Sequence, residues 1–295
     1  MNAQFLRIAM CAVAVTAPFC FASAGLIGNN ASLPSIYDVN LTTGAATNPR
    51  STGTSSTLTG ITYDPGSGIL YGLTALDGNF PNSLLRINPT TGATVLVGPT
   101  HLSRIFEGDI AFNPTNGRLY GIVENPDPSS LLVNLFQINP ATGAATVVGP
   151  LNTAAQTRDF SALAFNAAGT LFTIDTSDSA ALGHSVLSTV NPSTAALLTS
   201  ITMNVNLGEA AGLAFDPATG VAYVADGAFD GTLKLYTLDT TTGVATAIGN
   251  LGNNGGLAGL AFITPVPEPA TFEMIVVSLI FAGLVHWRRR KQALV

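Results

Sequence analysis

Beyond its first 24 residues the chain has no cysteine, since Cys11 and Cys20 are the two it contains. That excludes disulfides, thiol catalysis and Cys-ligated metal from the remainder. Basic residues are nearly as scarce. Between residues 25 and 265 there are six (Arg50, Arg86, Arg104, Arg118, Arg158 and Lys234) against fifteen acidic ones, a net charge near −9. A body with so few cations releases few counterions from a phosphate backbone, which argues against nucleic acid as a partner. Histidine is reduced there to His101 and His184, both in polar loop contexts. No Ser-His-Asp set, H-E-x-x-H, P-loop, or G-x-G-x-x-G in a βαβ context can be traced. Helical patterning is missing too: the apolar residues fall in short, alternating, Thr- and Val-rich runs with no 3.6-residue period.

What the chain has is repetition. One motif recurs as IYDVNLTTGAAT (36–47), LLRINPTTGATVLVG (84–98), LFQINPATGAATVVG (135–149), VLSTVNPSTAALLTS (186–200) and LYTLDTTTGVATAIG (235–249). A second alternates with it as GITYDPGSGILYGL (60–73), DIAFNPTNGRLYGI (109–122), ALAFNAAGTLFTI (162–174), GLAFDPATGVAYVA (212–225) and a truncated GLAFI (259–263). In each, two β-type runs flank an Asn/Asp-Pro-x-x-Gly-like turn, where Pro presets φ and Gly supplies φ > 0. Each unit therefore carries four short strands, the signature of a propeller blade. Four complete units begin near Leu58, Phe106, Phe160 and Ala211. The last motif offers a first strand only, and residues 25–47 lack one, so joining the two ends closes a fifth blade. The expected fold is all-β: a five-bladed β-propeller over residues 25–264, closed by pairing of its N- and C-terminal segments. The two motifs resemble those of secreted bacterial propellers, a group whose members differ widely in activity.

The ends read as addresses. Residues 1–24 combine Arg7, an apolar stretch and the small-x-small site Ala22-Ser23-Ala24, a secretory signal peptide cut after Ala24. Residues 265–291 form the second address. Val266-Pro267-Glu268-Pro269 cannot be helical around its prolines. An apolar run follows, and a single transmembrane helix is expected over about residues 272–287. Ala270 to Trp287 would extend about 27 Å as a helix, marginal for a hydrocarbon core of about 30 Å. Arg288, Arg289, Arg290 and Lys291 would stop transfer and stay inside. This three-part ending resembles the PEP-CTERM sorting signal of Gram-negative bacteria. The resemblance implies an exosortase-like membrane protease as partner, a transient membrane tether, and delivery to the cell surface or extracellular matrix. It also implies an association with exopolysaccharide and biofilm. A permanent single-pass anchor is the alternative.

In a propeller the loops leading into the inner strands and those after the second strands share one face. Glu107, Asp109, Arg158, Asp159 and Glu209 precede inner strands, and Asp77, Glu124, Asp175 and Asp226 follow second strands. Oxygen ligands of this kind suit Ca²⁺ or Mg²⁺. Glu107, Asp109, Asp159, Glu209 and Asp226 are the candidate metal ligands, against the plainer reading that these acids cap turn amides. No cofactor is required by either reading. Tyr63, Phe112, Phe165, Phe215 and Phe262 share one repeat position and are expected to be inter-blade core. The leading expectation is a non-enzymatic, exported binding or structural protein that contacts polysaccharide or surface proteins. The alternative is a lactonase-like, divalent-metal-dependent hydrolase working from the acidic face.

Overall fold

The computed structural model describes residues 25–30, 32–124, 132–152, 158–176, 184–208, 210–227, 233–252 and 256–264. The expected leader with Ala22 and Ala24, the sorting segment Val266-Pro267-Glu268-Pro269, the transmembrane segment and Arg288 to Lys291 lie outside the described residues. Among the described residues no helix is long and apolar enough to cross a membrane.

The described chain forms five four-stranded antiparallel sheets. Four follow the chain without a break. They are β4–β7 (Leu58–Asp64, Ile69–Thr74, Ser83–Ile87, Thr94–Pro99), β8–β11 (Gly108–Asn113, Arg118–Glu124, Val133–Ile138, Ala145–Pro150), β12–β15 (Phe160–Phe165, Leu171–Asp175, Val186–Val190, Leu197–Thr202) and β16–β19 (Gly212–Phe215, Ala222–Ala225, Lys234–Leu238, Ala245–Asn250). The fifth is built from both ends, in the order β20 (Leu257–Ile263), β1 (Gly25–Asn30), β2 (Ser35–Val39), β3 (Ala46–Ser51). Here Leu26 pairs with Phe262 and Gly28 with Leu260. The first strand of each blade touches its counterparts in the two neighbouring blades, giving the ring β20, β4, β8, β12, β16 and back to β20. This is the five-bladed propeller expected from the repeats, closed through the expected pairing. Closure gives the C-terminal strand a partner and covers the edge that β1 would otherwise present.

The repeated Asn or Asp builds the turns. Asn88 Oδ1 accepts the amides of Thr90 at 2.9 Å and Thr91 at 3.1 Å, and Asp216 Oδ1 accepts that of Ala218 at 2.9 Å. Four residues after the anchor of each third-to-fourth-strand turn the backbone is left-handed, at Gly44, Gly92, Gly143 and Gly243. Ala195 fills that position in the remaining turn at φ 61°. There the fold overrides a local cost of about 1–2 kcal/mol.

The core is divided by the radial symmetry into five apolar clusters, one at each blade interface. Ile27, Ile36 and Ala261 of the closing blade meet Leu58, Ile61 and Leu85 of the next. Tyr71 and Leu73 meet Ile110 and Phe136, and Tyr120 and Leu135 meet Leu163 and Phe165. Phe172 and Leu187 meet Leu213 and Tyr236, and Ala214 and Leu235 meet Leu26 and Phe262. Burying such side chains contributes roughly 1.5–3 kcal/mol each, which lets the fold stand without disulfides.

Candidate functional site

Of the acids expected on one face, Asp77, Asp175 and Asp226 use their carboxylates to join a blade to its own leading segment. Asp77 accepts the Thr57 amide at 2.9 Å and the Thr57 hydroxyl at 2.7 Å. Asp175, 1 % exposed, accepts the Asp159 amide at 3.2 Å and pairs with Arg158 at 2.6 Å. Asp226, also buried, accepts the Gly208 amide at 3.1 Å. In three blades, then, an acid at the end of the second strand or just beyond it caps the segment entering the first. Asp159 and Glu107 are half-buried. Glu107 lines a small cavity of about 80 Å³ at this end of the axis with Thr57, Thr59, Phe106 and Ser161. Arg104 lies over the exposed Phe106 ring at 3.8 Å. Glu209 is outside the described residues. Among those described, no three His, Cys, Asp or Glu residues come together as a metal-binding group.

Asp109 requires a correction. It does not precede an inner strand but is the second residue of β8 (Gly108–Asn113), wholly buried inside the ring. In the repeat it shares a position with Gly60, Ala162, Gly212 and Gly259. Here the five inner strands form a waist. A Cβ added at Gly259 would lie 2.8 Å from the Ile61 nitrogen, one at Gly212 would lie 2.9 Å from the Gly259 carbonyl carbon, and one at Gly60 would overlap Asp109 Oδ1. Asp109 bridges two blades: Oδ1 accepts the Ile110 amide at 2.8 Å and Oδ2 the Leu163 amide at 2.9 Å. Burial pushes its carboxyl well above the usual range, and the two amide bonds only partly oppose this. On the closing blade, fully buried Asn29 plays a related part, its Nδ2 donating to the Leu58 carbonyl at 2.8 Å. Its Oδ1 is buried with no hydrogen-bond partner among the described residues.

Beyond the waist, toward the C-terminal ends of the inner strands, the axis opens into a cavity of about 180 Å³. Its floor is Ile110, Leu163, Leu213 and Leu260, one residue past the waist, and its wall is the recurring ring Tyr63, Phe112, Phe165, Phe215 and Phe262. Pro65, Pro114 and Pro217 from the first hairpin turns form the rim. Four members of the ring pack as the expected inter-blade core: Tyr63 against the cluster of Ile27 and Leu58, and Phe165 on Tyr120, Phe215 on Phe172 and Phe262 on Tyr223 with centroids 5.1 to 5.6 Å apart, while Phe112 is half-buried and outside the apolar clusters. The ring is also the wall of a cavity, which inspection of the repeats did not anticipate. Thr62 Oγ1 accepts the Phe112 amide across the neighbouring interface at 3.0 Å. The Tyr63 hydroxyl donates to the Thr264 carbonyl at 2.6 Å, and Thr264 itself lines the cavity. Burial raises the Tyr63 phenol above its ordinary value. None of the described lining residues carries a charge at neutral pH, and the titratable group among them, the Tyr63 phenol, is engaged with the Thr264 carbonyl.

A family model described as a domain of unknown function, DUF4394, matches residues 50–261. The chain belongs to the DUF4394 family. The match begins within β3 and ends within β20, so both expected address segments lie beyond it. No curated protein matches this DUF4394 chain. Among solved structures it is similar to a protein of unknown function from Bacteroides caccae, at 9 % identity and a TM-score of 0.45 over 82 % of this chain and 99 % of that one. A gluconolactonase from Xanthomonas campestris is similar at 14 % identity and a TM-score of 0.46, over 81 % and 80 % of the two chains. TolB from Acinetobacter baumannii is similar at 11 % identity and 0.43, over 77 % of this chain and 52 % of that one. Identities this low say nothing of substrate.

Proposed function

We propose that this DUF4394 propeller is an exported, non-enzymatic protein of the cell surface or extracellular matrix, with a binding or structural role. In this reading it is tethered to the membrane by its C-terminal segment and then processed there by an exosortase-like protease. The observation that carries the reading is that all five blades are complete between the two address segments. β1 begins at Gly25, the residue after Ala22-Ser23-Ala24, and β20 ends at Ile263, two residues before the proline-rich segment that opens the tail. Both address segments lie outside the five described blades, including the β1–β20 pair that closes the ring. The non-enzymatic part of the reading is supported by the engagement of Asp77, Asp175 and Asp226 as caps and by the uncharged lining of the axial cavity. Polysaccharide or surface proteins are the partners this reading assigns, through the sorting-signal resemblance.

The test is the intact mass of the protein recovered from the surface or medium of its own cells. An N-terminus at Gly25 and a C-terminus upstream of Arg288 are expected. Surface protein that still carries Lys291 would overturn processing, and one that still carries Cys11 would overturn the cleaved leader.

A further inference from the structure

We propose that the axial cavity binds one neutral sugar unit, held by backbone amides and carbonyls of the inner strands and stacked on the aromatic wall. Each inner strand is the terminal strand of its sheet, so one of its edges faces the axis and not another strand. In an antiparallel pair, successive residues turn their N–H and C=O alternately toward the partner strand and away from it. The amides of Asn166 and Asp216 turn toward the partner, donating to the carbonyls of Thr170 at 3.0 Å and Val221 at 2.9 Å. Those of Phe165, Phe215 and Leu213 therefore turn to the axis, and all three residues line the cavity.

Two other inward amides show what such groups do when an acceptor is at hand. That of Leu163 donates to Asp109 Oδ2 at 2.9 Å, and that of Phe112 to Thr62 Oγ1 at 3.0 Å. In both cases the acceptor comes from the preceding blade. The blade before Leu213 has Ala162 at the place of Asp109. The blades before Phe165 and Phe215 have Ala111 and Ala164 at the place of Thr62. Alanine has no acceptor to give. Three donors, with the carbonyls of the same residues beside them, are thus left to the contents of the cavity. Buried backbone groups are paired almost without exception, so the occupant must both accept and donate hydrogen bonds.

The rest of the surface narrows the choice. The wall is aromatic, and no lining residue offers a counter-charge to an ion. Hydroxyls that donate and accept, set around a ring whose C–H faces can lie on aromatic side chains, are the chemistry of a neutral pyranose. About 180 Å³ is the share of roughly six waters in the liquid, room for a single pyranose and not for two. A longer glycan would enter by its end unit, through the mouth between Pro65, Pro114 and Pro217. The site is built from the ring alone, so it goes beyond the export reading and does not rest on it.

Ligand-observed NMR titration tests the site, in full-length chain held in a detergent without a sugar headgroup. Glucose and xylose are the probes, with glucuronate and benzene as charged and apolar controls. Both sugars should bind with a Kd of roughly millimolar order, and the controls at least about tenfold more weakly. Ala164→Ser places a hydroxyl where Thr62 has one, so that it occupies the Phe215 amide in place of the sugar. Ala111→Ser does the same for Phe165. Each should weaken sugar binding about fivefold, the scale of one neutral hydrogen bond, without lowering the melting temperature. Ala167→Trp on the exposed rim turn narrows the mouth without entering the core. It should abolish binding, and it decides the matter if the serine variants do not fold. Absence of sugar binding overturns the proposal, and so does a preference for benzene or glucuronate. Binding that every folded variant leaves unchanged puts the sugar elsewhere and overturns it too. Processing in cells enters none of these readouts, so failure of the sugar site and failure of the export reading are told apart.

Discussion

Replacing Asp109 with alanine should give a stability loss that shrinks as pH rises. Ala162 shows that a methyl group is accommodated at this repeat position, so the substitution removes a carboxyl without introducing bulk. It strips the acceptors from the amides of Ile110 and Leu163. Leaving a buried amide unpaired costs about 1–3 kcal/mol, so at low pH the variant should be less stable by roughly 2–6 kcal/mol. The parent chain carries an opposing term. Burial raises the Asp109 pKa well above its ordinary 3.8, so the folded state holds a proton that the unfolded state has already released. Stability from this group is complete below about pH 3.8 and is lost as pH rises toward the folded pKa, at up to about 1.4 kcal/mol per pH unit. The alanine variant lacks this loss. Between pH 4.5 and 6.5 the gap between the two should therefore narrow by up to about 2.7 kcal/mol. Urea unfolding of both proteins across that range at fixed ionic strength reads the gap, and taking the difference cancels the other titrating groups. A gap that stays flat would refute the account of Asp109 as a neutral strut.

Gly259→Ala should be severely destabilising, because its Cβ would meet the backbone at Ile61 and Gly60 as well as Asn29 Oδ1. Overpacking of about 1–3 kcal/mol is the expected scale, read as a lower melting temperature with the blade content by circular dichroism unchanged. A neutral result would mean that the waist is looser than the inner strands indicate. Chelation should leave the melting temperature of the purified chain unchanged, with no divalent metal found by elemental analysis. A drop on chelation would restore the divalent-metal hydrolase alternative, through Glu209 or other residues outside those described here.

The repeats made the fold legible because propeller symmetry is written linearly. An Asn or Asp anchor near every fifty residues marks each outer hairpin, and the unequal completeness of the first and last motifs marks the closing blade. That logic depends only on turn chemistry and strand period, both local. The interior of the ring was not legible in the same way. Asp109 reads as a loop acid because it precedes an apolar triplet and follows Phe106-Glu107-Gly108, a stretch that looks like a connection. Only the register, with Asp109 opposite Ile122, puts it inside the strand. Likewise Asp77, Asp175 and Asp226 could be gathered on one face from the repeat, but which amide each would accept depends on the return path of the chain.

The aromatic ring shows why recurrence is an incomplete argument against a site. Away from the axis, a residue repeated in every blade serves an interface, since each copy sees only its own two neighbours. On the axis all five copies converge, and the same recurrence also encloses a cavity. What then distinguishes a site there is the departure from the repeat. Asp109 stands where three blades have glycine and one alanine, and its carboxyl ties two blades at the waist. Tyr63 stands where four blades have phenylalanine, and its added hydroxyl binds the Thr264 carbonyl, the last described residue before the tail. A symmetric core has no need of that oxygen. It lies on the blade next to the closing strand, and so ties the end of β4 to the residue after β20 across that blade interface.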